Sequence, residues 1–421
     1  MFTISAFCVF FSLAVSTFAK TCTISPLGPG KDDTDHVMSA ITSCGQNGNT
    51  VIQAGNYNIT KKMTWNLANS QVDLFGTLSF NPDITYWLNA SNTYRVIFIQ
   101  SQASWFVLSG KNFTVNAHNT GGINGNGQPW WNFYTSHTRR DGDGRPVALT
   151  VFNATSATVK NFKIQSPPFW CNAVANSVDV TYDGMLCNAT NANPAFFGKN
   201  ILVNTDGIDT YRSDRINLLN WDVTGGDDCM AFKGNSSNIV ARNVTCRGGL
   251  GIAFGSLGQY AQLNDLVENV LVEDLTVTRI NSSIQPLALQ GVYFKTWSGT
   301  VHGSPPTGGG GGGGLVNNVT IRSVTLDRVD KPVNLYQNNN GKTGDAPSKL
   351  RFSNLNFADW TGVATTNTIV DLACSSAAPC QNIAFTNFKI APPAGQASSF
   401  ICVNVVNEKG LSGPCNATGH S

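Results

Sequence analysis

The sequence predicts an all-β chain wound as a single right-handed parallel β-helix behind a short N-terminal helical cap. Three observations carry that prediction. Apolar and polar residues alternate in short runs that recur through most of the 421 residues. The runs return about every 20 to 33 residues, in the same phase and with asparagine at the same bend, as stacked coils require. Forty-one glycines and a charged content of only 12% favour turns and buried strands over helices.

Residues 1–19 read as a secretory signal: an apolar run from Ile4 to Val15 precedes the small-x-small pattern Thr17-Phe18-Ala19. The run is shorter than the roughly 20 apolar residues of a membrane span. The remainder, 20–421, is expected to be one catalytic domain, secreted and extracellular. From Asp32 to Thr60 the chain reads as a cap, with helical spacing over Asp33–Ser43 (Val37, Met38, Ile41) and a strand over Asn49–Ala54. Its task is to cover the open edge of the first coil.

The repeated strands follow as Ala157–Ile164, Ser177–Met185, Arg215–Val223, Asn238–Cys246, Asn269–Val277, Asn318–Leu326, Lys349–Phe357 and Asn382–Ile390. A β-sandwich would also alternate, but would not repeat its polar punctuation in phase. Two segments break the pattern. Gly308–Gly314 reads as a flexible surface insertion, having no side chains to bury. Gly121–Gly144 contains Trp130-Trp131, which could stack on a sugar or cap the coils.

Of eleven cysteines, Cys8 falls in the signal and ten remain, an even number suited to an oxidising compartment. Neighbours in sequence make the local pairs Cys22–Cys44, Cys171–Cys187, Cys229–Cys246, Cys374–Cys380 and Cys402–Cys415, though spacing alone leaves the connectivity open. Ten Asn-x-Ser/Thr sequons (Asn58, Asn89, Asn112, Asn153, Asn188, Asn235, Asn243, Asn281, Asn318 and Asn416) mark a glycoprotein. A net charge of +2 points to neither nucleic acid nor membrane, and does not repel an anionic substrate. The ligand spacing of a zinc ribbon is missing, so neither a metal nor another cofactor is expected. A glycan-coated monomer is the expected state.

The chemistry concentrates in two acidic clusters, Asn204-Thr205-Asp206 and Gly226-Asp227-Asp228, one coil apart. Stacked strands lie about 4.7–4.9 Å apart, so these carboxylates would raise one another's proton affinity. Asp227 and Asp228 can share one site only if the chain bends, which Gly225-Gly226 permits. Glycoside hydrolysis needs one carboxyl to protonate the leaving oxygen and another to act across the sugar. Asp209 and Asp214 read instead as turn acids that hold backbone amides. A Cys229–Cys246 bridge would stiffen the loop carrying Asp227 and Asp228.

The stretches Asp32–Cys44, Gly122–Trp131, Asn204–Asp209 (NTDGID), Gly226–Cys229 (GDDC), Gly255-Ser256 and Gly291–Thr296 together resemble glycoside hydrolase family 28, the polygalacturonases and their relatives. The resemblance is strongest to the exo-acting branch, galacturan 1,4-α-galacturonidases and exo-rhamnogalacturonases. It implies inverting hydrolysis of terminal α-1,4-galacturonate in pectin, with Asp227 as proton donor and Asp206 and Asp228 activating water. It further implies that Lys295 meets a substrate carboxylate and that Tyr293 and Tyr336 line the cleft. Two positions depart from the family pattern: Leu250 replaces a histidine, and Tyr293 replaces the arginine of Arg-x-Lys. A leucine cannot titrate, and a tyrosine cannot grip a carboxylate with two parallel donors. A rhamnogalacturonan hydrolase or α-L-rhamnosidase, a calcium-dependent pectate lyase and a non-catalytic carbohydrate-binding solenoid remain as alternatives. The inverting mechanism also sits uneasily with coil stacking, because inverting acids usually stand about 6.5–9.5 Å apart.

Overall fold

The computed structural model describes residues 20–97, 99–137 and 144–417; the signal-like segment 1–19 lies outside them. Twenty-six strands join one continuous sheet whose neighbours all pair in parallel, the topology of a parallel β-helix. The alternating runs found in the sequence stack in register. Val159 pairs with Tyr182, then Leu218, Ala241, Val272, Ile321, Phe357 and Phe385, one residue per coil. That column faces the interior, where Phe254 and Phe294 stack with centroids 4.6 Å apart and Phe357 and Phe385 at 5.0 Å.

A second column of shorter strands carries the site: Asn172–Ala175, Ile208–Tyr211, Asp228–Phe232, Gly251–Leu257, Gln290–Trp297 and Lys331–Asn339, each paired with the next. Every residue of Ile208–Tyr211 and Asp228–Phe232 is buried. Strands covered on both faces lose the alternation that betrays a strand in sequence, which is why repeat counting passes over them.

The cap forms as a helix over Thr34–Cys44, burying Val37, Ala40, Ile41 and Cys44. An unforeseen strand, Lys20–Ile24, pairs with Gly48–Ile52 and is pinned to the helix by Cys22–Cys44. All five local disulfides are present, with Cα–Cα separations of 5.9, 6.3, 5.7, 5.8 and 5.5 Å in chain order. Each joins nearby segments without demanding backbone distortion. At the bends, asparagines adopt left-handed backbone and bond from coil to coil. Asn318 Nδ2 donates to Asn269 Oδ1 at 2.8 Å, and Asn269 Nδ2 to Asn238 Oδ1 at 3.0 Å. Three of the sequons, Asn112, Asn243 and Asn318, spend their amide nitrogens in such ladders.

The glycine run is not the flexible insertion the composition predicts. Gly308, Gly309, Gly310 and Gly312 are buried, and the amides of Gly309, Gly310 and Gly311 donate to the carbonyls of His302, Gln259 and Ser298 at 2.8, 2.7 and 2.9 Å. A Cβ on Gly309 would lie 2.3 Å from Gln259 O, and one on Gly310 2.3 Å from Thr300 O, with φ at +135° and +120°. Composition marks glycine as lacking a side chain to bury; here the lack of a side chain is what lets backbones touch. Trp130 and Trp131 are likewise buried, at 0% and 1% exposure, so they support a wall and do not present a stacking face. Gly310→Ala should therefore cost about 2–4 kcal/mol in urea unfolding, whereas a free loop would change by less than about 0.5 kcal/mol.

Candidate active site

The site begins where the chain enters its second column. Gly226 must be glycine because a Cβ there would meet Leu202 Cβ at 2.5 Å and Asn200 Oδ1 at 2.6 Å. The bend it allows leaves Asp227 outside the strand and starts the strand at Asp228; a register break follows between Asp228 and Met230. The Cys229–Cys246 bridge then ties this point to the neighbouring strand Ser236–Arg247. Asp206 arrives on the coil before, at the end of the loop that leads into Ile208–Tyr211. One carboxylate oxygen from each of Asp206, Asp227 and Asp228 lies within 4.8 Å of the others.

Burial divides the three. Asp206 and Asp228 are each 3% exposed, while Asp227 is only partly buried and so reachable. Asp227 is held by amides: Asn204 N–H donates to Oδ2 at 2.8 Å and Asp228 N–H to Oδ1 at 3.0 Å. Asp206 Oδ1 is buried without a hydrogen-bond partner among the described residues. Burial, reinforced by the charges of Asp209, Asp227 and Asp228, pushes Asp206 well above the usual carboxylate range. Burial and the neighbouring Asp227 raise Asp228 to about 6.

Lys295, Tyr293 and Tyr336 all converge on the same place. The Tyr293 hydroxyl donates a short hydrogen bond to Asp228 Oδ1, and its ring is 2% exposed. It therefore holds an acid and presents no free hydroxyl to a sugar. Burial first, and then the charge of Asp228, lift its own phenol far above normal. Tyr336 lies parallel to Tyr293, with ring centroids 6.4 Å apart, and burial raises its phenol too. Lys295 sits 5.5 Å from the Tyr293 ring centre; burial opposes its charge, but Asp228 and its other neighbours outweigh burial and keep it protonated. Leu250 packs on the small apolar cluster of Ala231, Ala253 and Tyr293, so this wall is greasy where a histidine would be polar.

Two residues escaped the sequence reading. Asp209 is not a turn acid: it is 1% exposed and forms an ion pair with Lys233 Nζ at 2.9 Å. Lys233, 5% exposed, also donates to Gly255 O at 3.1 Å and lies 5.0 Å from the Trp170 ring centre. Burial works against its charge, and Asp209, Asp206 and Asp228 more than restore it. Asp209 itself is raised to about 7, by burial above all. A lysine six residues after Asp227, directly following the apolar run Cys229–Phe232, was the available signal. Asp214 reaches across to the next coil, where it accepts from the side chains of Ser237 and Asn238 at 2.8 and 2.7 Å, so these bonds join coils and do not close its own turn.

Three carboxylates this close can share protons, and equally could grip a divalent cation; the chemistry of the site decides between them only through its neighbours. A buried lysine and a buried tyrosine already supply positive charge and a donor, which suits proton traffic. Because Asp206, Asp209 and Asp228 take up protons more readily folded than unfolded, they favour the fold most below the ordinary carboxylate range of about pH 4; Asp228 loses that contribution as pH rises through about 6, Asp209 through about 7, and Asp206 also well above the ordinary range. Asp206→Asn should raise Tm at pH 8, on the order of 2 °C, and gain nothing at pH 4. Scanning calorimetry at the two pH values reads both.

The profile of glycosyl hydrolases family 28 matches residues 44–412. An Aspergillus niger protein named galacturan 1,4-alpha-galacturonidase A is 40% identical, over 94% of this chain and 93% of its own. Exopolygalacturonase of Cochliobolus carbonum is 33% identical over 96% and 88%, and alpha-L-rhamnosidase rgxB of Aspergillus niger 31% over 94% and 90%. Among solved structures, endo-xylogalacturonan hydrolase from Aspergillus tubingensis superposes with a TM-score of 0.73 at 22% identity, covering 94% of this chain and all (100%) of that one. The chain belongs to glycosyl hydrolase family 28.

Proposed function

We propose that this family 28 glycoside hydrolase is secreted and removes terminal α-1,4-linked galacturonate from polygalacturonate and its oligomers, in pectin degradation. The observation that carries the reading is the convergence of Asp206, Asp227 and Asp228 within 4.8 Å, on a chain 40% identical to a protein named as a galacturonidase. Asp227, the most accessible of the three, donates the proton to the leaving oxygen. Asp206 and Asp228 activate water, which attacks with inversion in a single displacement. The spacing supports the stacking estimate over the usual inverting gap, so the water must enter from beside the triad. It would approach the unpartnered, buried Asp206 Oδ1. Lys295 meets a substrate carboxylate, Tyr336 lines the cleft, and Tyr293 acts through Asp228. Residues 20–421 act as one catalytic domain and a monomer.

Both oxygens of Asp227 are already engaged by backbone amides, and Asp228 is the acid that burial raises to about 6. That pattern favours a second assignment, with Asp228 as donor and Asp227 as base. The greasy wall of Leu250, Tyr293, Ala231 and Ala253, together with the identity to rgxB, favours a second substrate, a terminal rhamnose in rhamnogalacturonan.

Purified protein should release galacturonate one unit at a time from trigalacturonate, in chelator as in buffer, with no ultraviolet-absorbing unsaturated product. Rhamnose release from rhamnogalacturonan oligomers without galacturonate release would overturn the substrate, and an unsaturated product the reaction. Asp227→Asn should lose about 10²–10⁴-fold on trigalacturonate. It should keep most of its rate on an aryl galacturonide with an acidic leaving group, which needs no proton. If Asp228→Asn shows that rescue instead, the two roles are exchanged.

A further inference from the structure

Beside the triad, on the coils that precede it, lies a cavity of about 290 Å³ lined in part by Trp131, Tyr134, Arg145, Phe196, Lys199 and Asn200. That is the low end of the ~300–1,000 Å³ of small-molecule sites, room for about one sugar ring. Its two walls come from separate segments, the helix Gln128–Phe133 and the loop through Pro194–Phe196. They are stitched by side-chain amides. Gln128 Nε2 donates to Asn191 Oδ1 at 3.0 Å, Ala192 N–H to Gln128 Oε1 at 2.7 Å, and Asn193 Nδ2 to Asn132 Oδ1 at 3.1 Å. A space fixed on both sides is ready for a ligand without ordering first.

The cavity is wired to the acids. Arg145, 1% exposed, donates to Val203 O at 3.1 Å and Asn204 Oδ1 at 3.0 Å, and Asn204 N–H is what holds Asp227. Asn200 Nδ2 donates to Gly226 O at 2.9 Å, directly before Asp227. The guanidinium packs over the Tyr134 ring at 4.9 Å, so one wall is both aromatic and cationic. Lys199 is exposed at the rim and forms no ion pair among the described residues.

We infer that this cavity is a second anionic subsite, which takes a carboxylate-bearing sugar ring of the substrate with Lys199 at its rim and the half-buried Tyr134 and Phe196 against the apolar edge, Trp131 backing them from within. The inference rests on the hydrolase reading above and deepens it. With Tyr293 committed to Asp228, the wall near Lys295 lacks a guanidinium fork; a uronate-bearing chain would find its other charge contact here, across the triad.

Isothermal titration of trigalacturonate at low salt into Asp227→Asn, with and without Lys199→Met, tests it by binding alone. Lys199→Met should weaken affinity about five-fold, and added salt should erase the difference. Lys199→Arg should restore it. Equal affinity of the Lys199→Met and Lys199 forms, in a protein whose parent cleaves trigalacturonate, overturns the subsite and leaves the hydrolase reading standing. If the parent neither binds nor cleaves trigalacturonate, both fall together.

Discussion

Coil stacking is the constraint from which the site follows. Parallel strands sit about 4.7–4.9 Å apart, so residues one coil apart are forced into contact whatever their charge. Asp206 and the Asp227-Asp228 pair occupy such positions, beside strands that are buried throughout their length. The cost is local: buried carboxylates hold their protons more tightly than they would in water. That same shift is what proton transfer near neutrality uses.

The rest of the site manages this charge. Lys233 answers Asp209 beneath the triad, Tyr293 answers Asp228 from the side, and backbone amides answer Asp227. These answers come from more than one coil, with Asn204 before the pair, Asp228 and Lys233 beside it and Tyr293 beyond it, so the stack must be in register before the acids are neutralised. The glycine run contributes at a distance by bracing Gln259 and the coil edge near it, and the asparagine ladders hold the bends in phase. Stability and chemistry are joined through the same repeat.

Much of this was legible in the sequence because repetition leaves a periodic trace. The strands from Ala157 to Ile390, the helix of the cap and the three clustered acids could be read from alternation, spacing and motif, while the five disulfides join the neighbours in sequence that spacing left as the simplest of several pairings. What escaped did so for physical reasons. Strands buried on both faces carry no alternation, so the column bearing the site was visible only through its acids. Asp209 was misread because a motif shows where a carboxylate is and not what faces it; Lys233 reaches it from the next coil. The glycines were misread because close backbone approach and disorder share a composition. Tyr293 stands beside the acids, where its hydroxyl is spent on Asp228, a partner that the sequence does not reveal.

The central claim is that three acids act on one sugar linkage from a single groove. A crystal structure of the Asp227→Asn protein soaked with trigalacturonate measures this directly. The account predicts the scissile oxygen within hydrogen-bonding reach of residue 227 and a water held by Asp206 and Asp228 beside the adjoining ring carbon. A sugar bound elsewhere along the helix, or Asp206 turned from the bound ring, would contradict it.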